Sequence, residues 1–267
     1  MTEFKTGWKR DLDEHLEECV RMGAIKTHVE VNRQGAAALA SSVKPFEGLI
    51  DIRDQMSTSS CVGFAIAGAL QTRLRRVGHN PDRFSPLAIY AVARQLEGLY
   101  KNAPLPDTGS YPFLAMNGLK RFGIVPESAW AFGSDFEKKV EKELPFDVFA
   151  SASQFRVSNF SRIDSKGAAR TRACMEALAK GHPVVLGMHV GSEFQRYQKG
   201  NDPVGIEMTN TGGHMTYLVG YEDNGEVFLG ANSWTRDWGD DGLYKITRAK
   251  LEHDSTEDLY DFVVTEG

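Results

Sequence analysis

Residues 212–234 read GGHMTYLVGYEDNGEVFLGANSW, and this stretch decides how the second half of the chain is read. Thr216–Tyr221 and Glu226–Leu229 have the β-branched and aromatic content of strands. Asp223-Asn224-Gly225 between them is a hairpin-turn signal. The return strand of that hairpin brings Asn232 beside His214. An Asn side-chain oxygen there holds one imidazole nitrogen and orients the ring, and Trp234 shields that bond from water. Gly212 and Gly213 let another backbone, or a substrate, approach closely.

Working outward, Val184–Val190 reads as a buried strand, and Leu243–Ile246, Phe262–Thr265 and the segment from Phe155 as further strands. Ala168–Ala179 is a helix closed by Gly181 and Pro183. The first half has a different period. The run Cys61-Val-Gly-Phe-Ala-Ile-Ala-Gly-Ala-Leu70 predicts a helix to about Val77, with Ser57, Thr58, Ser59 and Ser60 suited to cap it. Two more helices are expected from Ser85-Pro86 to Leu99 and from Phe113 to Phe122, separated by a loop from Asn102 to Gly109. Residues 43–58 read as extended chain. Helices first and strands later predict an α+β protein of two lobes, 37–150 helical and 151–267 β-rich. Residues 1–36 form an N-terminal extension. Leu12, Leu16, Cys19 and Val20 recur at helical spacing, ended by Gly23. We read it as a helix docked on the body and retained; the alternative is a detachable, regulatory segment.

Composition narrows the function. The chain has 267 residues and a formal charge of −5, against a general nucleic-acid binder. Three cysteines are too few for a disulfide scaffold. No secretory pattern opens the chain, and no run approaches the ~18 apolar residues of a membrane span. A cytoplasmic location with reduced thiols is the simplest expectation. The histidines other than His214 lack metal-ligand spacing, and no phosphate-cradling or dinucleotide fingerprint occurs. No metal and no cofactor are expected. Cys19 and Cys174 read as ordinary thiols.

Cys61 opens its helix, where unpaired N–H groups and the helix dipole favour a negative charge. That position activates a thiolate nucleophile. Gln55 lies six residues earlier, in the loop leading to that helix. Its amide and the Cys61 N–H are suited to hold an oxyanion.

The segment from Asn232-Ser233-Trp234 through Trp238-Gly239 to Gly242 resembles the Asn-Ser-Trp block of papain-like cysteine peptidases. Gln55 with Cys61, His214 with Val219-Gly220, and Gly109-Ser110-Tyr111-Pro112 resemble three further blocks of that family, in the family's order. The resemblance spans about residues 44–265 and is nearest in character to bacterial or phage intracellular members. It implies a two-lobed fold with a barrel-like β lobe and a cleft for an extended peptide. It also implies a nucleophile at Cys61, an acid/base at His214, an orienting Asn232 and an oxyanion donor at Gln55. Gly109, Ser110, Tyr111, Gly213 and Trp234 would line the substrate. A protein or peptide substrate is implied, and neither nucleic acid nor membrane. Thr58 stands where secreted members have a disulfide cysteine, Val62 where they have Trp, Thr235 where they have Gly. Ser110 replaces a wall glycine and is expected to narrow the cleft. Transamidation or deconjugation on the same residues, and a non-catalytic peptide-binding module, are the alternatives.

Overall fold

The computed structural model describes residues 4–26, 39–45, 48–101, 106–152 and 155–266. Residues 27–36 of the expected extension and the start of the loop at Asn102 lie outside them. The chain opens with helix α1 (Asp13–Arg21) and a two-residue strand β1 (Ile25–Lys26), then the long helices α2 (Cys61–Arg76), α3 (Pro86–Lys101) and α4 (Pro112–Phe122). Two short helices follow, α5 (Phe136–Lys139) and α6 (Phe146–Ala150). The remainder is β2 (Phe155–Ile163), α7 (Gly167–Ala179), β3 (Val184–Val190), α8 (Ser192–Gln195), β4 (Gly212–Glu222), β5 (Val227–Ala231), β6 (Leu243–Thr247), α9 (Arg248–Glu252) and β7 (Thr256–Glu266).

Among the described residues the strands form one seven-stranded sheet in the order β1-β2-β7-β3-β4-β5-β6. The β1–β2 pair is parallel and the rest are antiparallel. Both faces of its centre are covered, so β3 is apolar almost throughout. Side chains alternate between the two faces. Val185, Met215, Tyr217 and Val219 join the core under α2, α3 and α4. Val184, Leu186, Met188 and Leu218 join the second core, which includes Cys174 and Leu178 of α7. The mixed α+β architecture matches the sequence expectation.

Two readings need correction. The inward face of α1 is His15 and Cys19, while Leu12 and Val20 are exposed. His15 lies against Asp11 and between the rings of Tyr111 and Phe113, which turns the helix away from the apolar stripe. The last strand begins at Thr256, six residues before the expected Phe262. Its buried charges, Glu257, Asp258 and Asp261, hide the apolar alternation.

Candidate active site

Helix α2 carries Cys61 at its first position, fully buried. It lies directly on β4: a Cβ at Gly68 would stand 2.7 Å from the Tyr217 ring. Ser60 is the N-cap residue, but no side chain caps the helix. The expected caps stitch the preceding loop instead. The Thr58 hydroxyl donates to the Gln55 carbonyl, the Ser59 hydroxyl to the Asp107 carbonyl, and Ser60 Oγ shares a hydrogen bond with Thr58. The N–H groups at the start of α2 are thereby left unclaimed by side chains.

His214 sits near the start of β4, facing the loop after β5. Its Nε2 lies 2.7 Å from Asn232 Oδ1. The Ser233 N–H also donates to Oδ1, which fixes that atom as the oxygen, so Nε2 carries the proton. Nδ1 is then the free base of the ring, and it is buried with no hydrogen-bond partner among the described residues. A buried acceptor without a partner is rare in folded proteins outside functional sites. Trp234 stacks on the imidazole at 4.4 Å and is itself edged by Phe194 and Trp238. The same loop holds Gln55. Ser233 Oγ donates to Gln55 Oε1 at 2.7 Å, and the Gln55 N–H donates to the Ser233 carbonyl. This leaves Nε2 of Gln55 to donate to the Thr58 carbonyl and, at 3.1 Å, to the carbonyl of Lys5. Sequence reasoning missed Ser233, whose only signal was its place between Asn232 and Trp234.

Lys5 belongs to a strap, residues 4–11, that runs through the cleft. Its backbone pairs with both walls. Gly7 and Trp8 donate to the Gly213 carbonyl, Lys9 donates to the Ser110 carbonyl, and the Ser110 N–H donates to Gly7. Gly109 has φ +91° and comes so near that a Cβ there would meet the Gly7 oxygen at 2.1 Å. Phe4 stacks on Trp234 at 4.4 Å, and the Lys9 ammonium lies over Tyr111. The five positions expected to line a substrate thus all touch the strap. The Ser110 side chain is buried and its hydroxyl has no partner.

Burial sets the charge state of both groups. It pushes the Cys61 thiol up to about 12, although backbone N–H groups of Met215 and Gly7 act the other way. It draws His214 down to about 4, against the Asn232 hydrogen bond. Cys61 and His214 are therefore both neutral in this state.

A second buried cluster anchors the strap. Asp11 accepts from Arg162 Nη1, the Tyr260 hydroxyl and the Phe113 N–H. Asp258 accepts from Arg162 at 2.7 Å, from Trp8 Nε1 at 2.8 Å and from the Asp11 N–H. The Trp8 ring fits over Gly187, where a Cβ would lie 2.2 Å from it. Nothing in the sequence pointed to this cluster.

The chain matches the papain family cysteine protease over residues 42–260. It belongs to that family. An uncharacterized peptidase C1-like protein of Acanthamoeba polyphaga mimivirus is 26% identical over 78% of this chain and 72% of its own length. Gamete and mating-type specific protein A of Dictyostelium discoideum is 27% identical over 73% of this chain, which spans only 40% of that protein. Among solved structures, xylellain, a cysteine protease from Xylella fastidiosa, shares the fold with a TM-score of 0.74, 21% identity and 98% of both chains covered. Family membership supports a cysteine peptidase. Among the described residues, no helix is long and apolar enough to cross a membrane.

Proposed function

We propose that the chain is a cysteine endopeptidase whose cleft is held shut by its own N-terminal strap. One observation carries this reading: a peptide carbonyl, that of Lys5, already rests on the Gln55 amide beside Cys61. A substrate carbonyl in that place meets the proposed oxyanion site, Gln55 Nε2 and the Cys61 N–H. The Cys61 thiol gives its proton to His214 Nδ1, and the thiolate attacks the carbonyl carbon. The imidazolium, steadied by Asn232, passes that proton to the departing amine as the C–N bond breaks. Water then attacks the thioester, His214 takes its proton, and the acid leaves as the thiol re-forms. No cofactor enters these steps.

The strap's direction supports latency. Residues after the Lys5 carbonyl, not before it, run along the Ser110 wall. A substrate whose acyl part lay on that wall would run the opposite way. The strap therefore fills the cleft without presenting a bond in the productive sense. Opening it restores water to Cys61 and His214 and removes the burial that keeps both neutral.

Intact-mass labelling of the reduced full chain with a peptidyl epoxide tests this. One slow adduct on Cys61, absent from Cys61→Ala and His214→Ala, is the expected result. Equal labelling of Cys19 and Cys174, both buried with thiols also pushed up to about 12 by that burial, would overturn it.

A further inference from the structure

Two parts of the cleft must stay in register for the proposed reaction. The loop 55–61 carries the oxyanion donors, and the wall at Gly109 and Ser110 holds the extended chain. All three cysteines are free, so no disulfide ties the loop to the wall. A chain of hydrogen bonds does so instead. The Ser59 N–H, two residues before Cys61, donates to Asp107 Oδ1 at 2.9 Å, and the Ser59 hydroxyl donates to the Asp107 carbonyl at 3.1 Å. The Tyr90 hydroxyl donates to the same Oδ1 at 2.8 Å and accepts from the Gly109 N–H at 3.0 Å. Tyr90 is fully buried on α3, and burial raises its hydroxyl above the usual pKa, so the group keeps its proton and stays a donor. One turn further along α3, the Arg94 guanidinium lies 4.0 Å from the centre of the Tyr90 ring. Arg94 also donates to the Val140 carbonyl and to that of Pro106, the residue before Asp107. The second carboxylate oxygen of Asp107 accepts from Lys5 Nζ at 3.0 Å.

Asp107 is thus the point where the nucleophile loop, helix α3 and the substrate wall meet. Its charge alone would be a disadvantage there. Negative charge develops at the Cys61 N–H during attack, and a fixed anion near it opposes that step. What the site uses is the pair of bonds that one oxygen accepts. We propose that Asp107 and Tyr90 are positioning residues, holding the Cys61 N–H and the Gly109–Ser110 wall at the separation the attacked carbonyl requires. The proposal rests on the peptidase reading. It assigns Asp107 no contact with the reacting atoms; the residue acts through Ser59 on one side and through Tyr90 and Gly109 on the other.

The test uses the full chain under reducing conditions and one quenched fluorescent peptide that the wild type cleaves. Closure of the strap competes with substrate and acts on KM, as does loss of the Lys5 contact, so kcat reads the positioning. Asp107→Ala is expected to lower kcat by about tenfold to a hundredfold, since a misplacement of about 1 Å at such a site costs up to that much. Asp107→Asn keeps one oxygen for both donors and retains kcat to within about threefold. Tyr90→Phe keeps the ring but removes the relay, and lowers kcat by about fivefold, the effect of one hydrogen bond. Adding it to Asp107→Ala lowers kcat little further, because both changes break one chain. The kcat pH profile stays with the wild type in every variant. An unchanged kcat in Asp107→Ala, an equal loss in the Asn and Ala variants, or independent losses in the double variant overturns the positioning role and leaves the peptidase intact. Should Asp107→Ala not fold, the other two variants decide: kcat unchanged in Tyr90→Phe, or lower in Asp107→Asn than in Tyr90→Phe, overturns it. Absence of hydrolysis by the wild type overturns the peptidase reading, and the positioning role with it.

Discussion

The cleft contains two buried polar groups, one at each end of the strap, and they are built on opposite principles. His214, Asn232 and Trp234 form an uncharged set within one hairpin and its following loop. Asp11, Arg162, Asp258 and Tyr260 form a charged set drawn from the strap, β2 and β7. The first leaves one buried acceptor, His214 Nδ1, without a partner. The second gives its carboxylates several donors each. An orphaned acceptor awaits a proton; a saturated ionic cluster fastens a segment. The two groups should therefore answer mutation with opposite signs. His214→Ala is expected to lower kcat by about 10⁴-fold, because members of such a set fail as a unit. Steady-state hydrolysis of any cleaved peptide measures it, and a loss under tenfold would break the assignment.

Arg162→Met tests the other end. It leaves the Asp11 and Asp258 carboxylates buried without their guanidinium, at about 3–5 kcal/mol. Releasing the strap, which carries Asp11 into water, relieves that cost more cheaply than unfolding the sheet. Epoxide labelling of Cys61 should then accelerate by roughly 10²-fold, because the strain is relieved by an opening of comparable free energy. Trp8→Ala is a second route to the same end, since it empties the site over Gly187 and keeps the ion cluster. Labelling rates unchanged in both variants would mean that the strap does not govern access to Cys61.

Acid separates the groups by their protons. Native His214 resists protonation until about pH 4, whereas the unfolded chain takes that proton near 6.5. Between those values the unfolded state holds more protons, so the His214 contribution to stability falls as pH falls. Asp258 works the other way. Burial and the Asp11 carboxylate raise it above 3.8, so the native state keeps a proton that the unfolded state gives up. Its contribution grows on acidification. The stability difference between wild type and His214→Ala isolates the histidine. It should shrink by up to ~3 kcal/mol from pH 7 to pH 4, as a shift of that size implies. Urea unfolding at both pH values measures it, and a pH-independent difference would contradict the buried neutral imidazole.

The same contrast explains what could be read from the sequence. Helices α2, α3 and α4 and strands β3 to β6 were legible because apolar periodicity and glycine or proline stops mark them locally. Cys61, His214, Asn232 and Gln55 were legible as candidates because each lies in a short block of restricted composition. The strap was not. Phe4, Lys5 and Gly7 gain meaning only from Trp234, Gln55 and Gly213, more than forty residues away in every case. Asp11 and Asp258 are likewise 247 residues apart, so no local pattern joins them. The cap prediction at residues 57–60 failed for a related reason. Those hydroxyls had closer partners in Gln55 and Asp107, and a side chain over the start of α2 would have occupied the space beside Cys61.

Ser233 gives the smallest and sharpest test, because it joins the two sides of the cleft. Its hydroxyl donates to Gln55 Oε1, and its N–H donates to Asn232 Oδ1. Ser233→Ala removes only the first of these. The Gln55 amide keeps its donor to the Thr58 carbonyl but loses the bond that sets its rotation. A buried neutral hydrogen bond is worth about 1 kcal/mol, so kcat should fall by roughly fivefold to tenfold. KM should change little, because the loss concerns charge that develops only in the transition state. The kcat pH profile should stay where it is, since His214 and Asn232 are untouched. A shifted profile with unchanged kcat would place Ser233 on the side of His214 and Asn232 instead of Gln55.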